Sequence, residues 1–204
     1  MQRQGGAGPR VRLEVLTPGH PLRPAVVELT VRPEQEEFAL TASTTLAAAD
    51  ADPGRTPFAI LVRGPALQPQ AVGFGVLDRG GYLPELLDSP ERAVLLRAFY
   101  VGVAHQGRGI GTAAARATRS LAATMAGVEL VVLTVNVRNA AGVAAYRRAG
   151  FADTGARYLL GDAGPQHVLV AGVVRAPAAD SAPRTPETAD TAKATAKPAI
   201  TRLS

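Results

Sequence analysis

The chain has no cysteine and no tryptophan, and its only lysines in 204 residues are Lys193 and Lys197. The first absence excludes disulfides, a thiolate nucleophile and Cys-ligated metal. The scarcity of lysine excludes a Walker A phosphate loop, which needs G-x-x-x-x-G-K-[ST]. Histidine is rare too: His20, His105 and His167 lie far apart without ligand spacing, so no metal site is expected. Aromatic residues are 4% of the chain, and the arginines are scattered rather than interleaved with aromatics. That pattern gives little support to nucleic-acid binding. Hydrophobic residues reach 47%, yet no run is as long as a membrane span. Met1 to Arg10 lacks an apolar core, so it does not read as a secretory signal. These exclusions leave a cytoplasmic globular enzyme as the expectation, with no membrane or nucleic-acid partner.

The length suits one domain with a real core. The composition divides it into a loose N-terminus over residues 1–9, a domain over 10–175 and a tail over 176–204. The tail is rich in Ala, Pro and Thr with almost no large apolar residues, so it is expected to be disordered. The formal charge is +5. The tail holds four basic residues against three acidic ones, so most of the surplus sits on the domain. A modest positive field suits an anionic ligand.

Pattern reading gives strands at Val11–Leu16, Phe58–Arg63, Ala71–Asp78, Leu95–Val103, Leu130–Val135 and Gln166–Val174. Helical pieces fall at Pro24–Val31, Glu34–Leu40 and Ser43–Ala49, and a longer helix at Thr112–Ala126. Gly64–Pro69 reads as a hairpin-like loop and Pro84–Ser89 as a loop.

The most informative stretch is Gln106-Gly107-Arg108-Gly109-Ile110-Gly111. An apolar strand leads into it and an Ala-rich helix leads out. Glycines let the backbone take positive φ and pass close to a ligand. The first free N–H groups of the helix and its dipole favour an anion there, and Arg108 adds a charge. The turn reads as a phosphate or pyrophosphate cradle. Gly109-x-Gly111-x-x-Ala114 also fits the dinucleotide fingerprint. That fold wants an acid at the end of the next strand, where this chain has Asn136.

Gln106 to Gly111 matches Q/R-x-x-G-x-G/A, and a second signature follows it. Asn139 opens a helix that closes in Tyr146-Arg147-Arg148-Ala149-Gly150-Phe151. Asn139 is a good N-cap and Gly150 a good C′ residue. Asn139 and Tyr146 stand about two turns apart, on one face. With these two signatures in this order, the chain resembles the GNAT acyl-CoA N-acyltransferases from about Ala71 to Val174. Shorter stretches, Glu28 to Phe38 with Ser43 to Ala47, and Phe151 to Gly155 with Gly164 to His167, are loosely similar to bacterial diamine and polyamine acetyltransferases.

The resemblance implies an α/β fold: a mixed central sheet, helices on both faces and a splayed V between the two central strands. It implies acetyl transfer from acetyl-CoA to a primary amine, a polyamine among the choices, by direct attack. Gln106, Gly107, Arg108, Gly109, Ile110, Gly111 and Thr112 would hold the pyrophosphate. Phe99, Val101 and Val103 would pair their peptide groups with the pantetheine arm, and Gly102 would ease a bulge there. Tyr146 would be the general acid for the leaving thiolate, and Asn139 would orient the pantetheine or a water. Some GNATs carry a glutamate on the central strand as base. Leu95 to Tyr100 contains none, which leaves Glu28, Glu34, Glu37 or His167 as acceptor-side candidates. A homodimer is left open. Two other readings stay open as well, a non-catalytic acyl-CoA sensor and a dinucleotide-binding oxidoreductase.

Overall fold

The computed structural model describes residues 8–36, 40–64, 68–161 and 163–175. The tail over 176–204, Glu37, and most of the N-terminal stretch expected to be loose lie outside the described residues. Twelve elements run in the order β1 (Arg12–Val15), α1 (Arg23–Val27), α2 (Ala42–Asp50), β2 (Arg55–Arg63), β3 (Pro69–Asp78), α3 (Leu83–Leu86), β4 (Ala93–Val101), α4 (Ile110–Ala122), β5 (Leu130–Asn136), α5 (Ala140–Arg148), β6 (Ala152–Tyr158) and β7 (Gln166–Gly172). No helix among the described residues is long and apolar enough to cross a membrane.

The strands form one sheet in the order β1-β2-β3-β4-β5-β7-β6. Every neighbouring pair is antiparallel except β4 and β5. Alternation along β2 feeds both faces. Phe58 and Ile60 join the core under α4, with Val94, Leu96, Ile110, Ala114 and Leu133. Ala59 and Leu61 join the opposite core, with Val26, Ala42, Leu46, Phe74 and Tyr100, under α1 and α2. A third cluster packs α3 through Leu83 and Leu86 onto Leu95, Val132 and Val168. The expected mixed sheet with helices on both faces is therefore present.

Several boundaries differ from expectation, each for a local reason. The helix at Pro24–Val31 stops at Val27, short of Pro33. Glu34–Leu40 is represented by a 3-10 turn, Pro33–Gln35, because Pro33 sets the first turn and Gln35 Oε1 accepts from the Arg32 N–H at 3.2 Å. Residues 37–39 of that segment lie outside the described residues. Pro84–Ser89 is not all loop: Leu83 and Leu86 are buried and pull one helical turn onto the sheet. The Ala-rich helix begins at Ile110 and ends at Ala122, where Met125 donates back to Ala122 and starts the turn into β5. Strand β6 has no clean apolar alternation and its place in the sheet comes from pairing with β7.

Two features of the central strands open a cleft in the sheet. Strands β4 and β5 pair at only three positions, Ala93↔Leu130, Val94↔Val131 and Leu95↔Val132. Beyond them β4 stays on β3 and β5 stays on β7, so the sheet opens into a V. Strand β4 also bulges. Phe74 faces Tyr100 but Val76 faces Arg97, three steps against two, and Ala98 takes φ 49°. An L-residue there carries strain of order 1 kcal/mol, typical of functional bulges. The bulge was expected at Gly102, but Gly102 has φ −55° and its N–H donates to the Val72 carbonyl at 2.8 Å.

The β3–β4 contact at this point tolerates no extra atom. A Cβ on Gly73 would stand 2.5 Å from the Tyr100 carbonyl oxygen and 2.8 Å from Ile60 Cδ1. Gly73→Ala is expected to cost about 1–3 kcal/mol, the range for overpacking, read as a lowered denaturant midpoint with an unchanged m-value.

Candidate active site

Turn and helix geometry build one side of the V. Gly107 and Gly109 have φ 74° and 75°, and Gly109 is the N-cap of α4 in the left-handed conformation. No side chain caps α4, so the N–H groups of its first turn remain unpaired within the helix and face the turn. The other side is α5. Asn139 caps it, its Oδ1 accepting from the Gly142 N–H at 2.9 Å. Its C-terminus closes in a Schellman arrangement, with the Gly150 N–H on the Arg147 carbonyl at 3.0 Å and the Phe151 N–H on the Tyr146 carbonyl at 3.1 Å.

Two chambers open between these walls. One, about 360 Å³, is lined by Phe99, Val101, Gln106, Gly107, Gly109, Ile110, Gly111, Thr112, Asn139 and Tyr146. The other, about 380 Å³, lies deeper in the V and is lined by Tyr82, Arg97, Phe99, Thr134, Asn136, Asn139, Tyr146 and Tyr158, with Glu36 at its edge. Phe99, Asn139 and Tyr146 belong to both. They form the junction.

Tyr146 is fixed there by its neighbours. Its ring centroid is 6.0 Å from that of Phe99 and 5.9 Å from that of Phe151, which meets it edge-on. Its hydroxyl has no hydrogen-bond partner among the described residues. Burial, helped by the nearby Tyr82, pushes its pKa well above the ordinary 10. The phenol therefore stays protonated at neutral pH, with its O–H available as a donor. Strand alternation turns the peptide groups of Val101 toward the V, since Gly102 donates to β3 on the other side.

Other expected residues are placed differently. The Val103 N–H is spent on the Thr30 carbonyl at 2.9 Å, and Val103 does not line the chamber. The Gln106 side chain reaches back, donating to the Val101 carbonyl at 2.9 Å and to Gln35 at 2.8 Å, so it ties the turn to β4. Arg108 is exposed and outside the lining, where Arg148 of α5 and His105 stand instead. Glu28 and Glu34 are exposed and line neither chamber. Glu36, one residue from the expected set, does. His167 is removed from the site by Asp153, whose Oδ2 is 2.8 Å from its Nδ1. Sequence reasoning missed Tyr82, Arg97, Thr134 and Tyr158. They come from four separate elements, and no local signal joins them. Among the described residues no group of three or more His, Asp or Glu could hold a metal ion.

The model of the acetyltransferase (GNAT) family matches residues 23–151. The chain belongs to the GNAT family of acetyltransferases. No curated protein matches it. Solved structures do. One is spermidine N-acetyltransferase from Vibrio cholerae in complex with CoA and spermine, at 14% identity and TM-score 0.58, covering 79% of this chain and 95% of that one. Another is AAC(6')-Ib in complex with paromomycin and acetyl-CoA, at 18% identity and TM-score 0.61, covering 79% and 93%. A third is the aminoglycoside acetyltransferase AAC(6')-Ib with coenzyme A and kanamycin, at 18% identity and TM-score 0.57, covering 80% and 95%. At these identities they establish that this GNAT domain shares their fold. The dinucleotide-oxidoreductase alternative falls with the family assignment.

The cluster that holds His167 makes a prediction about acid stability. Burial opposes ionisation of Asp153, but the Gly155 N–H, His167 and Arg157 outweigh it and lower its pKa. A lowered folded pKa adds stability above the unfolded value of about 3.9 and loses it as pH falls through the folded value. The stability advantage of the wild type over Asp153→Asn is therefore expected to shrink on acidification below about pH 4, followed by denaturant midpoints across that range.

Proposed function

We propose that this GNAT domain is an acetyl-CoA-dependent N-acetyltransferase acting on a small primary amine. The observation that carries it is the junction of the two chambers at Phe99, Asn139 and Tyr146. The phosphate-turn chamber suits the cofactor and the deeper chamber the acceptor, with the reacting thioester at the junction. The pantetheine arm adds to the unpaired edge of β4 at Phe99 and Val101, where the Val101 carbonyl also holds Gln106.

In the reaction the neutral amine nitrogen attacks the thioester carbon. The C–N bond forms, the C–S bond breaks, and the thiolate leaves with the former bonding pair. A backbone N–H of the β4 bulge stabilises the oxyanion. The Tyr146 hydroxyl donates to the thiolate, whose conjugate acid has a pKa near 8.5. The attacking nitrogen, cationic once the C–N bond forms, loses a proton to water at the open chamber mouth, where Glu36 is on the lining, and a proton from water restores the Tyr146 phenol. Coenzyme A and the N-acetyl amine leave.

Two outcomes test this. Acetyl-CoA is expected to raise the melting temperature of the protein. Gly109→Glu removes that shift by blocking and repelling the phosphates, and a folded variant that still shows it refutes the cradle. Tyr146→Phe is expected to keep acetyl-CoA affinity and lower kcat about 100-fold, as loss of a general acid does. Because burial raises the pKa of Tyr146, no loss of activity between pH 7 and 10 should trace to its ionisation. Unchanged kcat with chemistry limiting would take Tyr146 out of the mechanism. Binding of acetyl-CoA without turnover on any amine would favour a sensor.

A further inference from the structure

The deeper chamber carries an arginine on its lining, and its partners leave that arginine underused. Arg97 lies on β4, just past the last β4–β5 pair, and lines the chamber. Its Nη1 is 3.1 Å from Asp78 Oδ2. Asp78 is fully buried, and the same oxygen also accepts from Arg55 Nε at 3.1 Å, while its Oδ1 accepts the Gly80 N–H at 2.9 Å. Arg55 in turn meets Asp52 at 3.2 Å on the solvent side. One buried carboxylate is thus shared between two guanidinium groups. Of the five N–H donors of Arg97, one is spent among the described residues. Its side chain is 24% exposed, so the remaining fork is only partly hydrated.

The geometry points to an acceptor that carries a carboxylate as well as its amine, an amino acid or a similar aminocarboxylate. This rests on the acetyl-transfer reading above and names the substrate class of that same site. A guanidinium with free, partly desolvated donors binds a carboxylate through paired charge-assisted hydrogen bonds. The rest of the lining fits. Tyr82 and Tyr158 stack at 4.7 Å and 15°, and Thr134 bonds the Tyr82 hydroxyl at 2.9 Å, which gives a flat neutral wall. Among the described residues Glu36 and Arg97 are the only charged groups on the lining. A polyamine or aminoglycoside carries several cations and needs several carboxylates along its path. The Arg97 fork beside Glu36 suits a zwitterion, the guanidinium taking the carboxylate.

The experiment is thiol release from acetyl-CoA by the full-length protein with matched acceptors. The panel pairs amino acids with their decarboxylated amines and includes spermidine and kanamycin. Amino acids are expected to exceed their decarboxylated partners by about 100-fold in kcat/KM, chiefly through KM, because a site built for a polar group rejects the analogue lacking it. Arg97→Gln should bring that ratio toward one, and Arg97→Lys, which keeps the charge without the fork, should give an intermediate ratio. The acetyl-CoA melting shift reports that each variant is folded, and Arg97→Lys carries the test where Arg97→Gln does not fold. Preference for spermidine or kanamycin, or a ratio unmoved by both variants, overturns the assignment while acetyl transfer stands. No thiol release with any acceptor, despite the acetyl-CoA shift, overturns the acetyl-transfer reading and this inference with it.

Discussion

Everything functional here depends on the parting of two parallel strands after three paired positions. Strands β4 and β5 separate at Leu95 and Val132 because each is held by its other neighbour, β3 and β7 respectively. Parallel pairing is the weaker kind per residue, so the antiparallel neighbours win once the pairing ends. The gap does three things at once. It leaves one edge of β4 without a strand partner. It sets the turn after β4 opposite the helix after β5. It also lets polar side chains such as Arg97, Thr134 and Asn136 face a cavity from the middle of a sheet.

The gap is offset by tight packing on the far side of β4. Gly73 lets β3 lie against the Tyr100 carbonyl, and the Tyr100 hydroxyl accepts from the Ala42 N–H at 3.0 Å, which locks α2 below. The bulge at Ala98 is held between these anchors. A strained residue persists only where its surroundings over-determine it, and here the β3 pairs on either side do so. Rigid backing for β4 and an open front belong together, since a ligand that adds to a strand edge needs that edge fixed.

Charge follows the same division. Asp78 is buried behind the sheet opening and satisfied by two arginines and a backbone N–H, and Arg97 alone of that group reaches the cavity. Asp153 gathers His167, Arg147 and Arg157 at the edge of the sheet. Both clusters set a central carboxylate against more than one basic side chain. One holds His167 away from the V, and the other presents Arg97 to it. The difference is position, not composition.

The sequence by itself determined the turn, the two helices that flank the site, and the family. Glycines at 107 and 109, the cap at Asn139 and the closing Gly150–Phe151 act within one or two turns of chain, so local spacing specifies them. It determined the junction residues Phe99, Asn139 and Tyr146 for the same reason: each sits on an element that local pattern defines. Only the tertiary structure decided the lining of the deeper chamber. Tyr82, Arg97, Thr134 and Tyr158 are scattered through the chain, and their meeting depends on where β4 and β5 part and on β6, which local pattern does not reveal. It also placed His167, Arg108 and Val103 off the chamber linings, with His167 on Asp153 and the Val103 N–H on Thr30, contacts fixed by strand register and loop path. Helix caps and turns are short-range interactions written in adjacent residues. A cavity wall is a long-range arrangement, set by which strands remain paired.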